Sequence, residues 1–182
     1  TSAVMELEGW DWEEAVHTAD VAVHLNWPTL STWEIDYRTF SYKEIPNKDY
    51  DKDTRTLDRF FAEASVYAKL EKKERNLKME AMQDVFTGKR PLLIHAGQPK
   101  EIVASILFAK KFGVEKIILS SGSGALRVAS FLGENNIPVI LASTHVIPER
   151  TDDDIDMPYK LPRLLREGGL TGCLGAEGMG SG

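Results

Sequence analysis

"PLLIHAGQPKEIVASILFAKKFGVEKIILSSGSGALRVASFLGENNIPVILAS", residues 91–143, decides the fold. Three short apolar runs, "PLLIHA", "VEKIILSS" and "IPVILAS", read as strands, and the segments between them carry helical spacing. Pro99 stands in the first turn of a helix predicted from Pro99 to Phe112, and Gly113 stands at its end. A second helix is predicted from Gly124 to Glu134. Apolar, β-branched strands alternating with amphipathic helices predict βαβ crossovers and a parallel sheet covered by helices. "GGLTGCLGA", following a helix near 160–167, supplies one more strand. The repeated unit is about 25 residues, which suits a (β/α) barrel or a doubly wound sheet.

Upstream, residues 53–86 place Leu57, Phe60, Phe61, Ala64 and then Leu77, Met82, Val85 at spacings near those of a helix. Asp53 or Thr54 suits the start, Asn76 marks a break into two helices, and Gly88 suits a left-handed stop. Residues 1–52 have a different grammar. "SAVMELEGW" and "DVAVHLNW" are β-like, and "DWEEAVHTA" between them reads as one or two helical turns. Residues 28–52 are aromatic without sustained period and read as a mobile excursion over the strand tips. The chain therefore divides into an early strand region with its excursion, 1–52, and the repeats of 53–182, within one domain.

In either architecture chemistry sits at the carboxyl ends of the strands. Those tips carry His24-Leu25-Asn26, His95-Ala96-Gly97, Ser120-Ser121-Gly122-Ser123, Ser143-Thr144-His145 and Gly175-Ala176-Glu177. His95 is the first residue beyond a run apolar on both faces, so it is free to leave the packed layer and serve as a metal ligand or acid/base group. The bland alternative is an imidazole hydrogen-bonded to a neighbouring loop. His24 has similar geometry, His145 could simply face solvent, and His17 reads as surface. No HxH, HExxH or CxxC spacing is present, so the residues alone do not define a metal centre. "SSGSGAL" resembles a phosphate cradle but lacks the Walker lysine. "DDDID" lacks the length and closing glutamate of an EF-hand and reads as a solvated turn before a helix. The tryptophans at 10, 12, 27 and 33 read as core and lid packing, and Cys173 as a small buried hydrophobe.

A net charge of −6 without a dense basic patch argues against nucleic-acid binding. No apolar run approaches the roughly 20 residues of a membrane helix.

"MEAMQDVFTGKRPLLIHAGQPKEIVASILFAKKFGVEKIILSSGSGALRVASFLGENNIPVILAS", "VIPERTDDDIDMPYKLPRLLREGGL" and "AVMELEGWDWEEA" together resemble the amidohydrolase superfamily, specifically its imidazolonepropionase-related group. The similarity is strongest over 77–170. It implies part of a (β/α)8, TIM-type barrel and a metal-dependent hydrolase acting on non-peptide or dipeptide-like C–N bonds. It also implies one divalent metal, Zn²⁺ foremost, or none in this chain. By position His95 matches the family's strand-five histidine and Glu177 falls at or near its strand-eight aspartate, as ligand or general base. The strand-four lysine position holds "DVAVHLNW", with His24 nearby, and a serine/glycine tip around Ser121 replaces the strand-six histidine. The first-strand HxH pair is absent from these 182 residues. The expected site is therefore His95 for metal, Glu177 for catalysis, and His24, Ser121, Ser143 and His145 for a small-molecule substrate. A partial barrel should self-associate or pair with its missing portion. The rival expectation is a non-catalytic α/β domain whose serine/glycine tips bind a small polar or anionic ligand.

Overall fold

The computed structural model describes residues 2–5, 15–71, 74–141 and 154–175. Its strands are β1 (Ser2–Met5), β2 (Val16–Asn26), β3 (Ser31–Asp36), β4 (Ser41–Pro46), β5 (Leu92–His95), β6 (Ile117–Ser121), β7 (Val139–Leu141) and β8 (Gly172–Leu174). Its helices are α1 (Tyr50–Lys69), α2 (Leu77–Phe86), α3 (Pro99–Lys111), α4 (Gly124–Arg127), α5 (Ala129–Glu134) and α6 (Met157–Glu167). Six strands form one sheet in the order β1-β2-β5-β6-β7-β8, while β3 and β4 pair apart from it. From β2 to β8 every pairing is parallel, and only β1 runs antiparallel, against β2. Among the described residues no helix is long and apolar enough to cross a membrane.

Each parallel strand lies beside the parallel strand that precedes it in the chain. The reversal of order that defines a doubly wound sheet is missing from the described strands. Successive right-handed crossovers in one direction keep their helices on one face. The burial follows that rule. Leu92, Ile94, Ile117, Leu119, Val139 and Leu141 join the helical residues Ile102, Ile106, Ala109, Leu132, Leu161 and Leu165 in one core. Alternation along the strands puts Leu93, His95, Ile118, Ser120 and Ile140 on the opposite face.

The long helical segment breaks as its sequence predicts. Asn76 caps α2, its Oδ1 accepting from the amides of Lys78 (3.2 Å) and Met79 (3.4 Å). On α1, Phe61 is buried and lies edge-on to Phe86 and to Phe108, with ring centroids 6.1 and 4.9 Å away. That contact seats α1 across α2 and α3. The helix begins at Tyr50 rather than Asp53; Asp49 stands at the cap position, although its side chain makes no capping hydrogen bond. Two short helices, α4 and α5, replace the single helix expected over 124–134.

Residues 28–52 correct the expectation of an excursion without regular structure. β3 and β4 form an antiparallel hairpin with Trp33 opposite Glu44 and Ile35 opposite Tyr42. Its turn is built by the Asp36 side chain, which accepts from the Arg38 amide at 2.9 Å, and by Phe40 at φ 49°. His17 also differs from expectation: it is exposed on β2, not on a helical turn.

At the carboxyl end of the sheet, a Cβ on Gly124 would lie 1.9 Å from the carbonyl oxygen of Gly97. The β5–α3 and β6–α4 loops can touch only if residue 124 has no side chain. Gly124→Ala should therefore lower stability by about 2–3 kcal/mol, the scale of an overpacked core. A urea midpoint equal to that of the parent protein would contradict this contact.

Candidate functional site

β5 explains how His95 comes to be available. Leu92 and Ile94 are wholly buried toward the helices, so alternation sends His95 to the other face, where it is part-buried. On β2 the register sets Asn26 opposite His95 and His24 opposite Leu93. His24 and His95 are thus diagonal neighbours on one face. Their ring planes lie within 18° of each other, with centroids 5.1 Å apart, and His24 Nδ1 lies 2.9 Å from His95 Nε2, so the rings meet edge to edge. The contact requires complementary tautomers: one of the two nitrogens carries the proton and donates it to the lone pair of the other. The sequence placed both residues at strand tips; the sheet brings them together.

Across the same face the register runs Asn26, His95, Ser120, Ile140, Cys173. Ser120, buried, is therefore the serine beside His95. Ser121 has the parity of Leu119 and faces the helices; its buried hydroxyl has no hydrogen-bond partner among the described residues. The sequence reading selects Ser121 from this tip, whereas the register puts Ser120 on the histidine face. Counting alternation from Leu119 would have separated them. Ser143, His145 and Glu177 lie outside the described residues.

Other expectations resolve individually. Cys173 is exposed rather than buried, because β8 is the last described strand of the sheet. Asp154 and Asp156 stand at the turn before α6, and Asp156 binds Lys160 at 2.7 Å. That carboxylate is engaged by a lysine, as a solvated helix start should be. Trp27 is buried against Phe108, with centroids 5.2 Å apart, and so is core packing. Trp33 is not: it is 66% exposed on β3. Trp10 and Trp12 lie outside the described residues.

Two residues beyond His95 a cavity of about 860 Å³ opens between the strand tips and the hairpin. Gly97, Gln98 and Gly124 form its floor, Ser31, Trp33 and Glu44 its hairpin wall, and Arg127 lines it from α4. A buried carboxylate holds the wall in place. Glu101, 2% exposed, accepts from the Leu30 amide at 2.7 Å and from the Gln98 amide at 3.0 Å. Gln98 Nε2 then donates to Ser31 Oγ at 2.9 Å, and Ser31 donates to Glu44. The volume is within the range of small-molecule sites, roughly 300–1,000 Å³.

Among the described residues no three His, Cys, Asp or Glu side chains gather as metal ligands. The imidazole pair nonetheless offers two ligand nitrogens. Nitrogens each about 2.0–2.1 Å from a tetrahedral Zn²⁺ would be about 3.3 Å apart with their lone pairs converging on the ion, so both rings would have to turn out of the observed head-to-head contact at 2.9 Å to share one.

No protein-family model and no curated protein matches the chain. Among solved structures, the fold is similar to that of an amidohydrolase from Thermotoga maritima MSB8, with a TM-score of 0.70 and 18% sequence identity. The match covers 94% of this chain and 45% of that protein, so this chain spans less than half of its length. At that identity the likeness concerns the fold: α/β, with a curled, mostly parallel sheet and covering helices.

The histidine pair makes a direct prediction. His24→Asn should shift the Nε2 resonance of His95 in nitrogen-detected NMR, because its ring partner is gone. Stability should change by less than about 1 kcal/mol, as for most exposed substitutions. An unmoved His95 resonance would mean the rings do not meet in solution.

Proposed function

We propose that this chain forms part of a (β/α) barrel of an imidazolonepropionase-related amidohydrolase, and that the intact site hydrolyses a C–N bond in a small molecule. The observation that carries the reading is the His24–His95 pair on the face turned away from the described core helices, at the carboxyl end of a singly wound sheet. Active sites in this architecture occupy that end. His24 Nδ1 and His95 Nε2 would hold a divalent metal, Zn²⁺ foremost, with further ligands from outside the described residues. Such a metal supplies Lewis acidity and a hydroxide near neutral pH. Glu177, in this reading, is a further ligand or the general base that takes the proton of the attacking water. Ser143 and His145 would contact substrate. Ser120 is a stronger candidate than Ser121 for the serine contact, because it shares the face of His95.

The barrel reading also concerns β8. Its three residues are exposed, Leu174 by 64%, beside a cavity of about 300 Å³ lined by Val139, Leu141, Leu165 and Leu170. We propose that further barrel strands, or a second copy, cover this edge. Sedimentation of the 182-residue chain should then show a species heavier than a monomer; a monodisperse monomer without dye-accessible apolar surface would count against it.

Metal analysis tests the chemistry. Stoichiometric Zn²⁺, Mn²⁺ or Fe in the intact protein, lost together with hydrolysis in His95→Asn while stability moves by less than about 1 kcal/mol, supports the reading. An intact protein without metal would instead favour a non-catalytic binder of a small polar ligand, and full activity in His95→Asn would return His95 to a structural role.

A further inference from the structure

The hydrolase reading leaves the hairpin wall of the large cavity without a task. Trp33 and Glu44 are directly opposite across β3 and β4, so their side chains share one face. Both line the cavity. The Trp33 ring packs into no core, being 66% exposed. Glu44 is aimed by the chain of donors from Gln98 through Ser31, which leaves its second oxygen unused among the described residues. No cation of the described residues forms an ion pair with it. An indole face beside an oriented carboxylate offers a cation both quadrupole and charge. The other face of the hairpin carries Glu34 opposite Lys43, where opposite charges already complement each other across the strands.

We propose that this cavity binds a small organic cation, an alkylammonium or alkylguanidinium group lying between the Trp33 ring and the Glu44 carboxylate. The proposal deepens the hydrolase reading, and in that sense rests on it, by giving the substrate a positive group that the hairpin holds while the scissile bond lies toward His95. The net charge of −6 adds a general attraction for cations but not the site itself.

Calorimetric titration of the intact protein with butylguanidinium, with butyrate as the anionic control, tests the assignment. Saturable binding of butylguanidinium is expected, weakened at least about tenfold in Glu44→Gln and about two- to fivefold in Trp33→Leu, consistent with a charge-assisted contact and an exposed cation–π contact. Circular dichroism should show both variants folded, since both side chains are exposed. Butyrate should neither bind nor compete. Unchanged affinity in both variants, no saturable binding, or preference for butyrate would overturn the proposal; the last would assign the cavity to Arg127 and an anion. Binding is read without turnover, and His95→Asn should bind the probe as the parent does. Retained probe binding with no metal would sink the hydrolase reading alone, and lost probe binding with metal intact would sink this one alone.

Discussion

A carboxylate that is 2% exposed must be answered by donors, and Glu101 is answered by two backbone amides from different parts of the chain. Its position in the first turn of α3 adds the favourable end of the helix dipole. One oxygen holds Gln98, where β5 passes into α3; the other holds Leu30, where β2 has passed into the hairpin. The side chain is thus a fixed spacer between two strand exits. Ser31, Gln98 and Glu44 take their positions from it, and so does the shape of the space they enclose. An apolar residue at 101 would leave both amides unanswered in a place water does not reach.

The same end of the sheet is drawn tight by the approach of Gly124 to Gly97. Together the carboxylate and the glycine contact bring three consecutive strand exits within reach of one small molecule. Scaffolds of this kind host many unrelated chemistries, so the fold by itself does not assign one. What narrows the choice is the pair of imidazoles, because ring nitrogens at 2.9 Å share a proton and place two basic groups side by side.

The crossovers from β5 to β7 were legible because each strand is a dense apolar run and α3 carries a proline at its start and a glycine beyond its end. The hairpin was not. Trp33, Ile35 and Tyr42 do alternate with polar neighbours, but over only a few residues and with both faces wet, so burial wrote no long pattern there. His95 was legible as a residue at a tip. Its meeting with His24 was not, because β2 and β5 are separated by the hairpin and two helices, and register between distant strands leaves no local trace. Nothing local to α3 marks Glu101 as a buried charge; only the arrival of Leu30, distant in sequence, makes it one. The exposure of Cys173 depends in turn on β8 being the last described strand of the sheet, which a strand's own composition does not announce.

The order of the strands has a kinetic side. Val23 pairs with Leu92, whereas Leu92 pairs with Ile117 and Leu119 with Val139. Closing the first of these loops costs about 1 kcal/mol more chain entropy than closing the second, since the loop is nearly three times longer. Pairings distant in sequence are also the slow ones in folding generally. The hypothesis that follows is that β5, β6 and β7 consolidate first and β2 docks onto a preformed edge. Pulse-labelled hydrogen exchange at Val23 and Leu119 would reveal the order, and earlier protection at Val23 would reverse it. On this path His24 is delivered to His95 by the last long-range step, so the capacity to bind at that pair arises only after the β5–β7 core is complete, together with the hairpin that follows β2.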